Sequence, residues 1–291
     1  NHETDLGLDS LAKLELFAAV QKTYGIRITP EQAGEIITVA HLQERVGDAT
    51  AGMSEGRFDL LKEMKGAPDI PMEKQVNVGS GIVMGSLRCF AHVTLFLFLK
   101  IFMGAKIRGV EHLPEQGPFI VAGNHVSYFD GPMMYGMLPW RVTRNMYSMS
   151  IPEIFGRFPM KMLRRPGRII MTGTHDTMIS SMQYGYAALK GGSPMCIFPE
   201  GKRSVSGRID RPKAGVFQLA QACGAPLVPV YLKGMNHLYS RTRPGFHFAR
   251  LEAEIRPPLP LKDTPEEMMA DWYNVLAPFN EREYSPPEEA D

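Results

Sequence analysis

The chain has 291 residues, of which 44% are hydrophobic and 22% charged, which is typical of a folded protein with room for two domains. Its net charge of +1 conceals an asymmetry, because residues 1–50 contain four Lys/Arg against eight Asp/Glu and the remainder is therefore basic. The basic excess is too small and scattered for a nucleic-acid-binding protein, whereas an acidic module beside a mildly basic one favours electrostatic docking. Three cysteines without framework spacing, and no secretory signal at the start, favour a reducing compartment.

The first 49 residues predict a small helical bundle. Apolar side chains recur on one face of residues 10–24, and Asp9 or Ser10 can cap the start of that helix. A short second helix begins near Pro30 and a third covers 39–46, and helices this short bury their apolar faces only against one another. The sequence opens inside this pattern, without the helix that would complete the bundle, so we expect a fragment of a longer polypeptide.

Residues 50–78 are rich in Gly, Pro and Met and show weak periodicity, which predicts a linker. The next segment, 79–104, contains a strongly apolar run of eleven residues between Arg88 and Lys100. Such a run cannot cross a bilayer core, which needs about twenty residues. A buried core helix and a helix lying in the membrane interface both fit, and the flanking cations favour the interfacial helix.

From Pro118 onward, short apolar runs alternate with helical stretches. Strands are predicted at 119–122, 168–171, 195–198 and 227–232, and helices at 175–190 and 212–223. This alternation is typical of an α/β fold with a parallel sheet, in which functional groups gather where strands end. We therefore expect the chemistry of this domain directly after its strands.

The first of these strands runs into residues 124–130, NHVSYFD. His125 and Asp130 are five residues apart, and on a loop that enters a helix this spacing lets the carboxylate reach one imidazole nitrogen. The other nitrogen can then take a proton from an alcohol. A Ser/His/Asp hydrolase is not favoured, because no Gly-x-Ser-x-Gly nucleophile elbow occurs. A lone His–Asp pair remains a weak indication, since a structural histidine gives the same pattern.

The third predicted strand runs into residues 198–204, FPEGKRS. Glu200 follows a proline, and Gly201 permits a tight turn whose backbone N–H groups can bind an anion. Arg203 can bind a phosphate with two parallel hydrogen bonds, and Lys202 adds a point charge. The plainer alternative is a surface turn with a salt bridge.

The two motifs, followed by Val228-Pro229-Val230, resemble the glycerolipid acyltransferase family, which includes the 1-acylglycerol-3-phosphate O-acyltransferases. Lys213-Ala214-Gly215 also stands where that family has a Lys-x-Gly helix start, and the resemblance covers approximately residues 80–260. It implies a glycerol-phosphate-acyltransferase-like α/β domain in which His125 is the general base and Asp130 orients it. The residues that it implies for acceptor binding are Glu200, Gly201, Lys202 and Arg203.

One departure from the family concerns its second motif, an apolar strand that ends in a basic residue. Here the strand at 169–171 runs into Thr172-Gly173, so the expected cation is missing. Arg164, Arg165 or Arg168 could replace it. Otherwise the acceptor carries a head group with less charge at that position.

Residues 5–11, DLGLDSL, resemble the modification site of acyl carrier proteins. The resemblance implies a covalent 4′-phosphopantetheine cofactor on Ser10, although a serine in this position can also serve only as a helix cap. The first helix of that family is missing from the sequence, so the predicted carrier bundle is incomplete. An adenylating domain that loads the carrier is a further implied partner, upstream in a longer polypeptide.

The sequence thus predicts a truncated carrier domain at 1–49, a linker at 50–78 and an acyltransferase domain at 79–291, peripheral or monotopic on the cytoplasmic face of a membrane. Its expected function is to move a fatty acyl group from a carrier-protein or CoA thioester to the free hydroxyl of a lysophospholipid such as 1-acylglycerol-3-phosphate. Two alternatives stay open: acyl transfer to a lyso-aminolipid or other non-phosphate acceptor, and a non-catalytic carrier and membrane-tethering module. No metal site is expected, because the histidines lack ligand spacing.

Overall fold

The computed structural model describes residues 64–68, 72, 81–156, 158, 160–172, 175–239 and 247–284. All of them lie in Leu61–Asp291, the second of two units into which the chain divides. The predicted carrier helices, Ser10 and most of the predicted linker lie outside the described residues.

A seven-stranded sheet with the order β1-β7-β6-β2-β5-β3-β4 organises this unit. The strands are β1 (Lys106–Arg108), β2 (Ile120–Gly123), β3 (Tyr147–Ser150), β4 (Ile169–Met171), β5 (Met195–Ile197), β6 (Leu227–Lys233) and β7 (Glu252–Ile255). β2 pairs in parallel with β5 and β6, and β3 pairs in parallel with β4 and β5, whereas β7 runs antiparallel to β6. The carboxyl ends of β2 to β6 therefore meet at one edge of the sheet, called here the carboxyl edge.

Helices connect and cover the strands. They are α1 (Ile82–Leu97), α2 (Asp130–Met137), α3 (Trp140–Thr143), α4 (Pro152–Phe155), α5 (Met160–Arg164), α6 (His175–Lys190), α7 (Ala214–Cys223), α8 (Met235–Leu238) and α9 (Pro265–Tyr284), with a π-helical turn at Phe98–Phe102 and a 3-10 turn at Val110–His112. The α/β prediction is confirmed, and the four predicted strands and both predicted helices occur with bounds that differ by at most two residues. α7 ends as expected at a glycine, Gly224, with φ +66°.

β2 lies at the centre of the sheet and is buried on both faces. Ile120 and Ala122 belong to one apolar cluster and Val121 to another, as the alternation of a strand requires. Trp272 of α9 covers the first cluster and donates from its indole Nε1 to the carbonyl of Ala122, at 3.0 Å. Met133 of α2 belongs to the second cluster. The loop that follows β2 thus leaves from a strand that is fixed on both sides.

Part of the predicted linker packs into this unit. Met64 is fully buried in the same cluster as Ile120, and Met72 packs against that cluster. Single methionines in a Gly- and Pro-rich segment leave no periodic pattern, which is why composition gave no sign of their burial.

α1 and the π-helical turn form one helix over Ile82–Phe102, whose 21 residues are long and apolar enough to cross a membrane by length and composition. One face packs on the domain. Arg88 is buried and its Nε donates to the carbonyl of Pro166 at 2.8 Å. A Cβ on Gly136 of α2 would lie 2.8 Å from Leu95 Cγ of α1 and 2.7 Å from Leu99 Cδ1 of the π-helical turn, so α2 is in close contact with this helix.

The opposite face of this helix is an exposed apolar stripe. Its side chains recur every three or four residues along the helix. They are Val83, Leu87, Phe90, Val93, Leu97 and Ile101. The core-helix interpretation therefore describes one face of this helix, whereas the interfacial helix stays a prediction for the exposed face.

Candidate active site

The loop after β2 begins with a residue that is tied to the neighbouring strand. Asn124 is buried, its Oδ1 accepts a hydrogen bond from the N–H of Leu232 at 2.7 Å, and its Nδ2 donates to the carbonyl of Leu232 at 3.3 Å. The side-chain amide thus binds both backbone groups of one residue of β6. This fixes the point from which His125 leaves the sheet.

Asp130, the first residue of α2, organises the rest of that loop. Its Oδ2 accepts hydrogen bonds from His125 Nδ1 at 2.7 Å, from the N–H of Val126 at 2.7 Å and from the N–H of Ser127 at 2.8 Å. Because a carboxylate only accepts, Nδ1 of the imidazole carries the proton and Nε2 keeps its lone pair. The structure therefore brings together the two residues of the first motif in the geometry that the sequence predicts.

Phe198 fixes the plane of the imidazole. The Phe198 and His125 rings stack with centroids 4.3 Å apart and an angle of 14°. A Cβ on Gly123 would lie 3.2 Å from Phe198 Cε1, so the glycine at the end of β2 leaves room for this ring. The His125 side chain keeps 22% of its surface exposed, which lets an alcohol reach the ring. The sequence motifs predict no role for Phe198, because the stacking of two rings from different loops leaves no pattern in the sequence of either loop.

Glu200 connects the two motifs. It is buried, its Oε1 accepts from the N–H of His125 at 2.7 Å, and its Oε2 accepts from the N–H of Asp210 at 2.9 Å. Burial raises the pKa of Glu200 to about 8, although these two backbone hydrogen bonds act in the opposite direction. Each oxygen accepts one backbone N–H of the protein, so Glu200 has a positioning role in the structure, whereas the acceptor binding that the family resemblance implies for it stays a prediction.

The rest of the second motif forms the predicted turn. Gly201 has φ +69°, and its N–H donates to the carbonyl of Phe198 at 3.0 Å, so this N–H is not available to an anion. Arg203 lies over the ring of Tyr128, with its Cζ 3.5 Å from the ring centroid, and its Nη1 is buried without a hydrogen-bond partner. Among the described residues no carboxylate pairs with Lys202 or Arg203, which argues against the plain surface salt bridge.

A third loop, after β6, completes the site. Tyr239 follows α8, and its ring meets that of Tyr128 edge to face at 5.3 Å. Ser127 Oγ donates to the carbonyl of Tyr239 at 2.5 Å. Three loops that follow parallel strands therefore meet at the carboxyl edge, as the rule for α/β sheets predicts.

The arginines that could replace the missing cation lie elsewhere. Arg164, Arg165 and Arg168 precede β4, whereas the site lies beyond the carboxyl ends of the strands. Arg168 is buried, donates from Nη1 to the carbonyl of Asn145 and lies with its Cζ 5.0 Å from the ring centroid of Tyr147. The suggestion that one of these arginines supplies the cation is therefore not supported by the fold.

The chain is similar to known acyltransferases. Residues 104–233 match a family model described as Acyltransferase. The 1-acyl-sn-glycerol-3-phosphate acyltransferase alpha of Homo sapiens is 24% identical over 182 residues, which are 60% of this chain and 63% of the relative, so the chain spans less than two thirds of that relative. An acyl carrier protein of Streptomyces coelicolor is 39% identical over 54 residues, which are 19% of this chain and 59% of the carrier protein.

The fold is also that of a solved structure. The 1-acyl-sn-glycerophosphate (LPA) acyltransferase of Thermotoga maritima superposes with a TM-score of 0.59 and 22% identity, covering 71% of this chain and 82% of that one. This likeness confirms the α/β architecture. The family match and the curated relatives support an acyltransferase enzyme, as the two sequence motifs predict.

Replacing Glu200 with glutamine tests its positioning role. The amide must turn its NH₂ toward one of two backbone N–H groups, so we expect the free energy of unfolding to fall by about 1–3 kcal/mol. The raised pKa means that the folded state holds a proton more tightly than the unfolded state, so wild-type stability should decline as pH rises from about 5 to about 8. Urea unfolding across this range should show a flatter dependence for Glu200→Gln.

The exposed Glu266 at the start of α9 supplies the control, because Glu266→Gln should change stability by less than about 0.5 kcal/mol. If wild type and Glu200→Gln had equal stability and equal pH dependence, the positioning role of Glu200 would be contradicted.

Proposed function

We propose that this chain transfers a fatty acyl group from a thioester to the free hydroxyl of a lysophospholipid such as 1-acylglycerol-3-phosphate. The observation that carries the proposal is the imidazole of His125, held by Asp130 at 2.7 Å, with a partly exposed ring at the carboxyl edge. The turn that bears Arg203 is attached to the same loop, because the N–H of Ser204 donates to the carbonyl of His125 at 2.8 Å.

Direct transfer follows from the state of the imidazole. Nε2 of His125 takes the proton of the acceptor hydroxyl while the oxygen attacks the thioester carbonyl carbon. The tetrahedral intermediate collapses with cleavage of the C–S bond, and the imidazolium returns its proton to the departing sulfur. Asp130 stabilises the imidazolium between these two steps. No side chain of the site is acylated, so no acyl-enzyme intermediate forms.

The turn at residues 201–203 offers donors for the intermediate's oxyanion. The N–H of Gly201 is already bonded to Phe198, but the N–H groups of Lys202 and Arg203 make no hydrogen bond within the described part of the chain. Preorganised N–H groups of this kind stabilise the charge that develops on the carbonyl oxygen.

The acceptor's phosphate fits Arg203. Its guanidinium rests on Tyr128, its Nη1 has no partner in the protein, and a guanidinium binds phosphate through two parallel hydrogen bonds. A cation that the protein leaves without an anion favours a phosphate-bearing acceptor over a phosphate-free one. The cation that is missing after strand β4 is the observation that favours the alternative, acyl transfer to a lyso-aminolipid or another acceptor without a phosphate.

Membrane binding is supported by the exposed stripe of α1. Six apolar side chains on one face would remain in water unless a lipid surface or another apolar surface covers them. The opposite face packs on α2 and on Pro166, which favours a helix that stays on the domain surface, although its 21 residues are long and apolar enough to cross a membrane. We therefore propose a monotopic attachment in which α1 lies in the interface.

The donor is proposed to be a carrier-bound thioester on Ser10, with CoA as the alternative. The similarity of 54 residues to an acyl carrier protein supports a carrier segment in this chain. A carrier in the same polypeptide raises the effective concentration of the acyl group at the site. An adenylating domain upstream would load such a carrier.

His125→Ala tests the general base. Loss of the imidazole should lower kcat for acyl transfer to 1-acylglycerol-3-phosphate by about 10²–10⁴-fold. Asp130→Asn should also lower kcat strongly, because its amide can donate to Nδ1 and favours the wrong tautomer. The exposed His237 is the control, since His237→Ala should transfer at nearly the wild-type rate. Unchanged transfer by His125→Ala would exclude the mechanism, and preference for a phosphate-free lysolipid would favour the alternative acceptor.

The membrane proposal is tested on the stripe. Phe90→Ser together with Ile101→Ser removes two large exposed apolar side chains, each worth about 1.5–3 kcal/mol when buried. We expect the partition coefficient of the double variant onto phosphatidylglycerol–phosphatidylcholine vesicles, measured by sedimentation, to be at least about tenfold lower than that of wild type. Leu261→Ser, an exposed leucine outside the stripe, should bind as wild type. Equal binding of all three proteins would remove the proposal.

The carrier proposal is tested by intact mass. Protein produced with a phosphopantetheinyl transferase should gain the mass of one phosphopantetheinyl group, because a carrier serine is modified on its hydroxyl. Ser10→Ala should show no gain, whereas Ser54→Ala should be modified normally. An unmodified wild-type protein would leave CoA as the donor.

A further inference from the structure

The side chain of Lys213 lies across the turn of the second motif. A Cβ placed on Gly201 would lie 3.1 Å from Lys213 Cδ and 3.2 Å from both its Cε and its Nζ. The backbone holds this arrangement, because the N–H of Lys213 donates to the carbonyl of Pro199 at 2.9 Å. The start of α7 is thus folded back onto the turn that carries Arg203.

The ammonium of Lys213 has no anionic partner. Among the described residues no carboxylate lies within ion-pair distance of its Nζ, and the side chain is exposed. The carboxylate of Glu200 beside it already accepts two backbone hydrogen bonds. Two cations, Lys213 and Arg203, therefore flank Gly201 without a protein anion to balance either of them.

We propose that Lys213 is the second cation that binds the acceptor's phosphate, together with Arg203, and that it replaces the cation missing after strand β4. This inference rests on the proposed acyl transfer to a phosphate-bearing acceptor. A phosphate monoester carries about −1.5 to −2 charges at neutral pH, which one guanidinium does not balance. Arg203 supplies a planar pair of donors and Lys213 supplies a compact point charge.

Gly201 has two roles in this arrangement. Its φ of +69° is one that residues with a side chain rarely adopt, and its missing Cβ leaves the space that the Lys213 methylenes occupy. A methyl group at this position would require the Lys213 side chain and its ammonium to shift by a few tenths of an ångström. Gly201→Ala should therefore reproduce part of the Lys213 defect without removing a charge.

Binding of the soluble head group tests the proposal without catalysis. The melting temperatures of wild type and of Lys213→Arg should rise with added sn-glycerol 3-phosphate. Lys213→Met should need at least about tenfold more of this ligand for the same rise, the loss expected for one charge-assisted hydrogen bond. Lys190→Met removes an exposed cation at the end of α6, before β5 and so on the opposite edge of the sheet, and should respond as wild type. Equal response of Lys213→Met and wild type would overturn the proposal.

Steady-state kinetics separate this inference from the proposed function. With 1-acylglycerol-3-phosphate, Lys213→Met should raise KM about tenfold or more and leave kcat within about threefold, with Lys213→Arg restoring KM. With a monoacylglycerol the two proteins should have the same KM. If wild type transfers the acyl group and Lys213→Met has the same KM, only the role of Lys213 is refuted. If wild type transfers an acyl group to no lysolipid, the proposed function is refuted.

Discussion

The site depends on one carboxylate oxygen, Oδ2 of Asp130, which accepts three hydrogen bonds in a fully buried position. A buried carboxylate without partners would cost several kcal/mol, so the loop of residues 125–127 is held in the shape that presents all three donors. The position at the start of α2 adds a favourable interaction with the helix dipole. The same contacts that stabilise the loop therefore also select the tautomer in which Nε2 can act as a base.

Acidic and basic residues of the two motifs have separate tasks. Asp130 and Glu200 point into the protein and accept five hydrogen bonds between them, four of which come from backbone N–H groups. Arg203 and Lys213, in contrast, have no carboxylate partner in the described part of the chain. The carboxylates thus fix the loops, and the cations remain available to an anionic acceptor.

Sequence patterns could predict what is local or periodic. The buried strands β2, β5 and β6 are short apolar runs, and the contact between His125 and Asp130 follows from a spacing of five. The sequence patterns do not predict β1, β3 and β7. β1 has three residues, two of them charged, and the apolar signal is weakened by serines in β3 and by glutamates in β7. The contacts between residues far apart in sequence, such as Asn124 with Leu232, have no pattern in one sequence. The apolar run does not indicate the full length of α1, because the charged but buried Arg88 interrupts it.

The close contact between α1 and α2 links the proposed membrane helix to the base. α2 meets α1 at Gly136 and begins at Asp130, and six residues of helix span about 9 Å. In the proposed reaction the acceptor's hydroxyl lies near the head group of a lipid, so a base at a fixed and short distance from the proposed interfacial helix would reach it while the acyl chains stay in the membrane. A side chain larger than glycine at position 136 would push α1 away and change this distance. Gly136 of α2 therefore contributes to the position of the site, as Asp130 does at the start of the same helix.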